Sequence, residues 1–146
     1  MKAFAVALMF LLWLAGAGRA SAQFTYMPNG GGTCTLTGYT GTNGVIAIPA
    51  QLNGLTVVSI GYEAFAGPPA GFGVIPNRAP NPIPTLVTIP DSVTNIGGSA
   101  FFYCDNLTNV VWGRGLTTIG DAAFAYSGLP SVTIPPGVTN LAVEPG

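Results

Sequence analysis

The chain contains no histidine, and only 6% of its 146 residues are charged. Without histidine, Ser-His-Asp and Cys-His catalysis are excluded. Zinc sites need clustered cysteine and histidine, whereas the only two cysteines, Cys34 and Cys104, are far apart in the sequence. We therefore predict a protein that is not an enzyme and that holds no metal and no cofactor.

Acidic residues are also scarce. Three of the five, Asp91, Asp105 and Asp121, lie at turn positions of the repeat described below, where aspartate caps and bends the backbone. A glycosidase needs two facing carboxylates, and a calcium site needs several oxygen ligands close together. The pattern favours a structural role for these aspartates.

Basic residues are too few for a nucleic-acid site. Lys2 and Arg19 lie in the N-terminal leader, so the remaining chain keeps two arginines against five acidic residues, a net charge of 2 − 5 = −3. Nucleic-acid binding needs a basic footprint, and no amphipathic basic helix indicates a membrane surface. We expect neither partner.

The first 22 residues have the pattern of a cleavable signal peptide. Lys2 precedes an apolar run, Ala3 to Leu14, and Ala20-Ser21-Ala22 is a small-residue cleavage site. The run is shorter than the roughly 20 residues that span a membrane. We predict cleavage after Ala22, a secreted or cell-surface protein and no membrane insertion afterwards.

Glycine and proline are abundant, at 21 and 13 residues, which favours short strands and tight turns. The two cysteines of an exported chain could form a disulfide. They could equally be buried thiols, which pack as small hydrophobes. Their positions in different repeats, described next, favour buried thiols.

A motif recurs along the chain. Ala-Phe pairs end at Phe65, Phe101 and Phe124, and an Ile-Gly pair begins five residues before each phenylalanine. Phe124 follows Phe101 by 23 residues. Two short extended pieces and a glycine corner make up each unit. The phrases "LTNVVW" and "LPSVTI" are predicted strands, and Pro90 and Pro135 end the strands that precede them. Stacked units would pile phenylalanine on phenylalanine, as in a solenoid.

The phrases "VTIPDSVTNIGGSAFFYCDNLTNV" and "GLTTIGDAAFAYSGLPSVTIPPGVT" resemble the BspA-like leucine-rich repeat family. Its unit is similar to L-x-x-V-x-I-P-x-x-V-x-x-I-G-x-x-A-F-x-x-C. The resemblance implies a mainly β fold, a short, curved right-handed solenoid. Such repeats occur in bacterial surface or secreted proteins, with adhesion and protein binding among their functions.

The repeat register predicts the organisation of the chain. A β-hairpin cap is expected at 23–43, a degenerate first repeat at 44–67, a proline-rich inserted loop at 68–85 and further repeats at 86–141. The coil at 142–146 is incomplete. Either the chain is a fragment of a longer array, or another surface packs end to end against this coil.

What remains for function is an uncharged, hydroxyl-rich surface. The candidate binding residues face outward on predicted strands or flank them: Thr88, Asn109, Val111, Ser131, Thr133 and Arg114. Tyr103 and Tyr126 could add anchors, and Thr94, Thr117 and Thr139 form a second column. Threonine is also simply common on exposed strands. The leading hypothesis is protein or glycan binding; the alternative is a structural spacer, and an ice-binding role is disfavoured by so few rungs.

Overall fold

The computed structural model describes residues 22–67 and 84–142, and within these ranges the chain forms ten β-strands and no α-helix. The strands are β1 (Phe24–Gly30), β2 (Thr33–Tyr39), β3 (Val45–Ala47), β4 (Gln51–Leu52), β5 (Leu55–Ile60), β6 (Leu86–Thr88), β7 (Asn95–Ile96), β8 (Asn109–Val111), β9 (Thr118–Ile119) and β10 (Asn140–Leu141). The predicted signal peptide (1–22), proline-rich loop (68–85) and incomplete coil (142–146) lie mostly outside the described ranges. No helix in those ranges is long and apolar enough to cross a membrane.

The strands form two sheets. The larger sheet has the order β1-β2-β5-β7-β9-β10, with β4 paired to β5, and the smaller has the order β3-β6-β8. From β5 and β3 onward, neighbouring rungs are parallel. Each of the first three coils therefore contributes strands to both sheets, whereas the last described coil contributes only β10, to the larger sheet. The predicted mainly β solenoid is confirmed.

A column of stacked aromatic rings runs through the core. The rings of Phe65 and Phe101 lie 4.9 Å apart at an interplanar angle of 5°, and those of Phe101 and Phe124 lie 5.0 Å apart at 7°. The column continues toward the N-terminus through Tyr39, 6.2 Å from Phe65, and Phe24, 4.9 Å from Tyr39. The predicted phenylalanine stack is confirmed, and it extends into the hairpin cap.

The Ile-Gly pairs bring successive backbones into close contact. Ile60 pairs with Ile96, and Ile96 with Ile119. The N–H of Gly97 donates to the carbonyl of Ile60 at 2.7 Å. A Cβ on Gly97 would lie 2.9 Å from the carbonyl carbon of Gly61, which is too close, so the corner requires glycine.

The N-terminal hairpin covers the first coil. β1 and β2 pair antiparallel around a turn in which Gly30, Gly31 and Gly32 have φ angles of 87°, 60° and 76°, values that glycine adopts readily. β2 then pairs in parallel with β5. The predicted hairpin cap is thereby confirmed.

The first coil is wider than the later ones because it contains an extra hairpin. β4 and β5 pair antiparallel across Asn53 (φ 50°) and Gly54 (φ 83°). Positive φ at both central residues is characteristic of a type I′ hairpin turn. This hairpin accounts for the longer spacing between Ile48 and Ile60 than in later repeats.

The residue two positions before each stacked phenylalanine is left-handed. Glu63, Ser99 and Ala122 have φ angles of 51°, 53° and 49°. A side chain at positive φ stores strain, so each corner carries the same local cost. No residue type marks this column in the sequence.

One predicted strand is absent. Residues 131–135 have no regular structure, although "LPSVTI" was expected to pair with the preceding repeat. Pro130 and Pro135 flank the segment and cannot donate to a ladder. The apolar side chains of Val132 and Ile134 are 42% and 41% exposed, because no described coil packs over them.

Candidate binding face

The smaller sheet presents an outward surface that is regular and uncharged. In the register of β3, β6 and β8, Val45 is beside Leu86 and Leu86 beside Asn109, while Ala47, Thr88 and Val111 form the second row. Between the rows, the middle residues of the three strands point inward and are buried. We call the six outward residues the strand face: Val45, Ala47, Leu86, Thr88, Asn109 and Val111.

Three of the predicted binding residues, Thr88, Asn109 and Val111, lie on the strand face. Thr88 is half-buried, and Val111 is 48% exposed. Ser131 and Thr133 are exposed but belong to no strand, so the expected third rung is not part of the sheet. Arg114 lies in the corner between β8 and β9 and is exposed.

Three strand-face residues were missed by sequence reasoning: Val45, Ala47 and Leu86. Val45 is the most exposed of them, at 65%. The phrase "VIAIP" in the first repeat matches "VTIP" of the second at its final Ile-Pro. Aligning the copies on that dipeptide would have placed β3 beside β6.

A cleft runs along the far side of β8. It has a volume of about 340 Å³ and separates β8 from residues 129–133. Hydroxyl, amide and apolar groups line it, and none of its lining residues is charged: Thr108, Asn109, Val110, Trp112, Leu129, Pro130, Ser131, Val132 and Thr133. We call this cavity the edge cleft. Ser131 and Thr133 lie across the edge cleft from β8, beside which their segment was expected to form a further strand.

The second threonine column joins coil to coil. Thr117 donates from both its N–H and its hydroxyl to the carbonyl of Thr94, at 2.9 and 3.0 Å. Thr94 makes the same pair of bonds to Val58, at 2.9 and 3.2 Å. The N–H of Thr139 donates to Thr117 at 3.0 Å. These hydrogen bonds give Thr94 and Thr117 a structural role.

The tyrosines proposed as anchors form a separate aromatic cluster. The rings of Tyr103 and Tyr126 stack at 4.7 Å and 8°, and Phe102 meets Tyr126 edge-on at 5.5 Å. Both tyrosines lie in the corner that follows the second strand of their coil. Arg114 lies in the other corner, so the structure does not bring these anchors to one site.

The acidic side chains of the described residues lie in turns. Among residues 22–67 and 84–142, no group of three His, Cys, Asp or Glu side chains could hold a metal ion. Asp91, Asp105 and Asp121 all lie in turns, and Asp91 accepts the backbone N–H of Arg114 at 2.8 Å. This arrangement matches their expected backbone-bending role.

Both cysteines are buried, and no disulfide joins them. The thiol of Cys104 lies 3.2 Å from the carbonyl oxygen of Phe65 and donates to it. Burial raises the pKa of the Cys34 thiol above its ordinary value of 9.0. Cys34 lies in β2 of the hairpin cap and Cys104 lies in a repeat, and both are core residues.

Comparison with known families gives a match over the later repeats. Residues 84–144 match the family described as BspA type leucine rich repeat region (6 copies). No curated protein gives a significant match to the chain.

Several solved structures are similar. A leucine-rich repeat protein from Bacteroides capillosus ATCC 29799 is 32% identical, with a TM-score of 0.65 over 82% of this chain and 83% of that one. The leucine-rich repeat protein of T. pallidum is 25% identical, with a TM-score of 0.68 over 82% of this chain and 51% of that one.

A third similar structure is described as a leucine rich cell surface protein from Faecalibacterium prausnitzii A2-165. It is 25% identical, with a TM-score of 0.58, over 83% of this chain and 41% of that one. This chain thus spans about half or less of the length of the T. pallidum and Faecalibacterium proteins.

Proposed function

Because the chain belongs to the BspA-type leucine-rich repeat family, we propose that it is an exported, non-enzymatic module that binds a protein or glycan at the cell surface. The strand face is the binding surface in this proposal. The signal-peptide pattern at residues 1–22 supports export. A cell-surface setting has further support from the description of the Faecalibacterium protein.

The observation that carries the proposal is the composition of the strand face. Its two rows repeat in register across three parallel strands and contain no charge. Val111 exposes an apolar side chain beside Thr88, and Val45 exposes one in the row that contains Leu86 and Asn109. Cores of protein interfaces are depleted of charged residues, so such a surface suits an uncharged partner.

The test is a binding screen of residues 23–146 against extracellular-matrix proteins and surface glycans by biolayer interferometry. Replacing Thr88 and Val111 with glutamate would bury two charges on contact, so we expect affinity to fall at least about tenfold. Met27 in the cap hairpin is 59% exposed, and Met27→Glu is the matched control. Unchanged binding by the Thr88→Glu, Val111→Glu protein would remove the strand face from the proposal.

A second candidate function is a spacer within a longer secreted protein. It is favoured by the larger size of the T. pallidum and Faecalibacterium proteins, of which this chain covers 51% and 41%. The reading frame beyond residue 146 discriminates between the two. Further repeats followed by a sorting or catalytic domain would favour the spacer, whereas a stop codon there would argue against it.

A further inference from the structure

The smaller sheet ends in an open strand edge. β8 pairs with β6 on one side, and on the other side no backbone hydrogen bond joins it to residues 129–134, in the part of the chain that is described. Bonds between the last two coils stop at Gly128, which donates to Cys104 at 3.0 Å, and resume at Thr139. A row of main-chain donors and acceptors therefore faces the edge cleft.

The edge cleft continues into a second cavity past the end of β8. This cavity, of about 390 Å³, shares Trp112 and Thr133 with the edge cleft and also reaches Arg114. Together the two cavities follow the direction of β8 and then pass its C-terminal end. Their shape suits an extended segment rather than a compact ligand.

The charges around the two cavities favour a particular segment. Arg114 is the only basic residue in the described ranges. Because β3, β6 and β8 are all parallel, a further parallel strand would bring its C-terminal side to Arg114. An acidic side chain at that side would complement the arginine.

β6 already shows this pattern on the other side of β8. Its uncharged residues, Leu86 to Thr88, pair with β8, and Asp91 follows three residues later. The Asp91 carboxylate accepts the backbone N–H of Arg114 at 2.8 Å, and the Arg114 side chain is exposed. A second segment of the same kind, on the opposite side of β8, could pair its acidic residue with the Arg114 side chain.

We propose that a partner protein adds an extended, uncharged segment to β8 as a fourth parallel strand, followed by an acidic residue beside Arg114. This proposal rests on the proposed binding function and specifies the partner. Strand addition to an exposed edge takes its affinity from main-chain hydrogen bonds and its specificity from alternate side chains. Trp112, Leu129 and Val132 would contact the apolar ones.

The probe is the capped peptide TLVTIPD, the sequence of residues 85–91. Trp13 lies in the predicted leader, so Trp112 is the only tryptophan of residues 23–146, and its emission reports directly on the cleft. We expect a saturable change in Trp112 emission on titration. No saturable change up to millimolar peptide would overturn the proposal.

Two further peptide sets test the binding mode. Successive amides of a strand point to opposite edges. We therefore compare two peptides that are N-methylated at neighbouring amides, one facing β8 and the other facing away. The first should bind about tenfold more weakly than the unmodified peptide, and the second should bind equally well. An Asp-to-Asn peptide should bind about two- to fivefold more weakly, and Arg114→Gln should abolish that difference. Equal affinity of the two methylated peptides would contradict strand addition.

The outcomes separate this proposal from the proposed function. If a partner binds the strand face but the peptide fails, strand addition is wrong and the proposed function stands. If the Thr88→Glu, Val111→Glu protein still binds its partner and the peptide also binds, the strand face is not the binding surface, and strand addition in the edge cleft is supported. A concentration-dependent Trp112 change without peptide, together with a dimer mass, would assign the cleft to a second copy and overturn the proposal.

Discussion

Replacing Phe101 with alanine tests the stacking that joins the coils. Phe101 is fully buried between the parallel rings of Phe65 and Phe124. Replacing a core phenylalanine with alanine costs about 3–5 kcal/mol, and both ring contacts would be lost. We expect the free energy of unfolding to fall by about that amount.

Phe124 is the matched comparison because it is the last ring of the described column. It is half-buried, stacks on one phenylalanine only and lines a groove of about 210 Å³ beside Val132 and Leu141. Phe124→Ala should therefore cost about half as much, about 1.5–2.5 kcal/mol. The difference between the two variants measures the contribution of a neighbouring coil.

Urea unfolding of residues 23–146 followed by far-UV circular dichroism gives both values. Trp112 emission is unsuitable here because Trp112 packs edge-on against Phe124 at 5.4 Å. Domains of this kind have total stabilities of about 5–15 kcal/mol, so Phe101→Leu serves as a milder variant if Phe101→Ala does not fold. Equal losses for Phe101→Ala and Phe124→Ala would refute the stacking argument.

Four further substitutions test local features of the coils and of the cap. Ala122→Gly should stabilise the fold by about 0.5–1 kcal/mol, because the φ of 49° at residue 122 is strained for alanine. Ala125→Gly, the control, should destabilise the fold by a similar amount. Urea midpoints that move in the same direction for both variants would contradict this. Gly97→Ala should cost about 1–3 kcal/mol, since its Cβ would meet neighbouring backbone at 2.9 Å, and a melting temperature equal to that of the unmodified chain would contradict the close contact. The raised pKa of Cys34 keeps the folded thiol protonated while the unfolded thiol ionises, so the free energy of unfolding should fall as pH rises above 9.0. Cys34→Ala should lessen that fall. Identical profiles of stability against pH for the two proteins would refute the role of Cys34.

The stacked core could be predicted because its information is periodic. Phenylalanine, isoleucine and glycine recur at the same offsets, and residues at equal offsets in parallel coils become neighbours. The spacing therefore predicted the contacts of Phe65, Phe101 and Phe124 without any structure. The extension of the column through Tyr39 and Phe24 could not be read in this way, because the cap does not follow the repeat.

The turn of the first coil had a sequence signal that was not used, and the left-handed corner positions had no sequence signal. Asn53-Gly54 is a strong type I′ turn signal, and it explains the wider first coil. The left-handed positions two residues before each stacked phenylalanine are occupied by Glu63, Ser99 and Ala122, which share no chemistry. Their backbone angle comes from the geometry of the corner rather than from local preference.

The strand positions of the candidate site could be predicted for coils that are packed between two other coils. Thr88 lies on β6, between two paired strands, and the same alternation placed Val111 on β8 correctly. Ser131 and Thr133 have the same pattern but lie beside prolines in the last described coil. Alternation alone could not reveal that this strand leaves the sheet and opens the edge cleft.

The claim that the strand face binds the partner is tested most directly by site-specific photocrosslinking. A photoreactive residue is placed at Val111, and in a separate protein at Met27, and each is irradiated with the partner found in the binding screen. Crosslinking at Val111 but not at Met27 is the expected result. Crosslinking at Met27 without crosslinking at Val111 would contradict it.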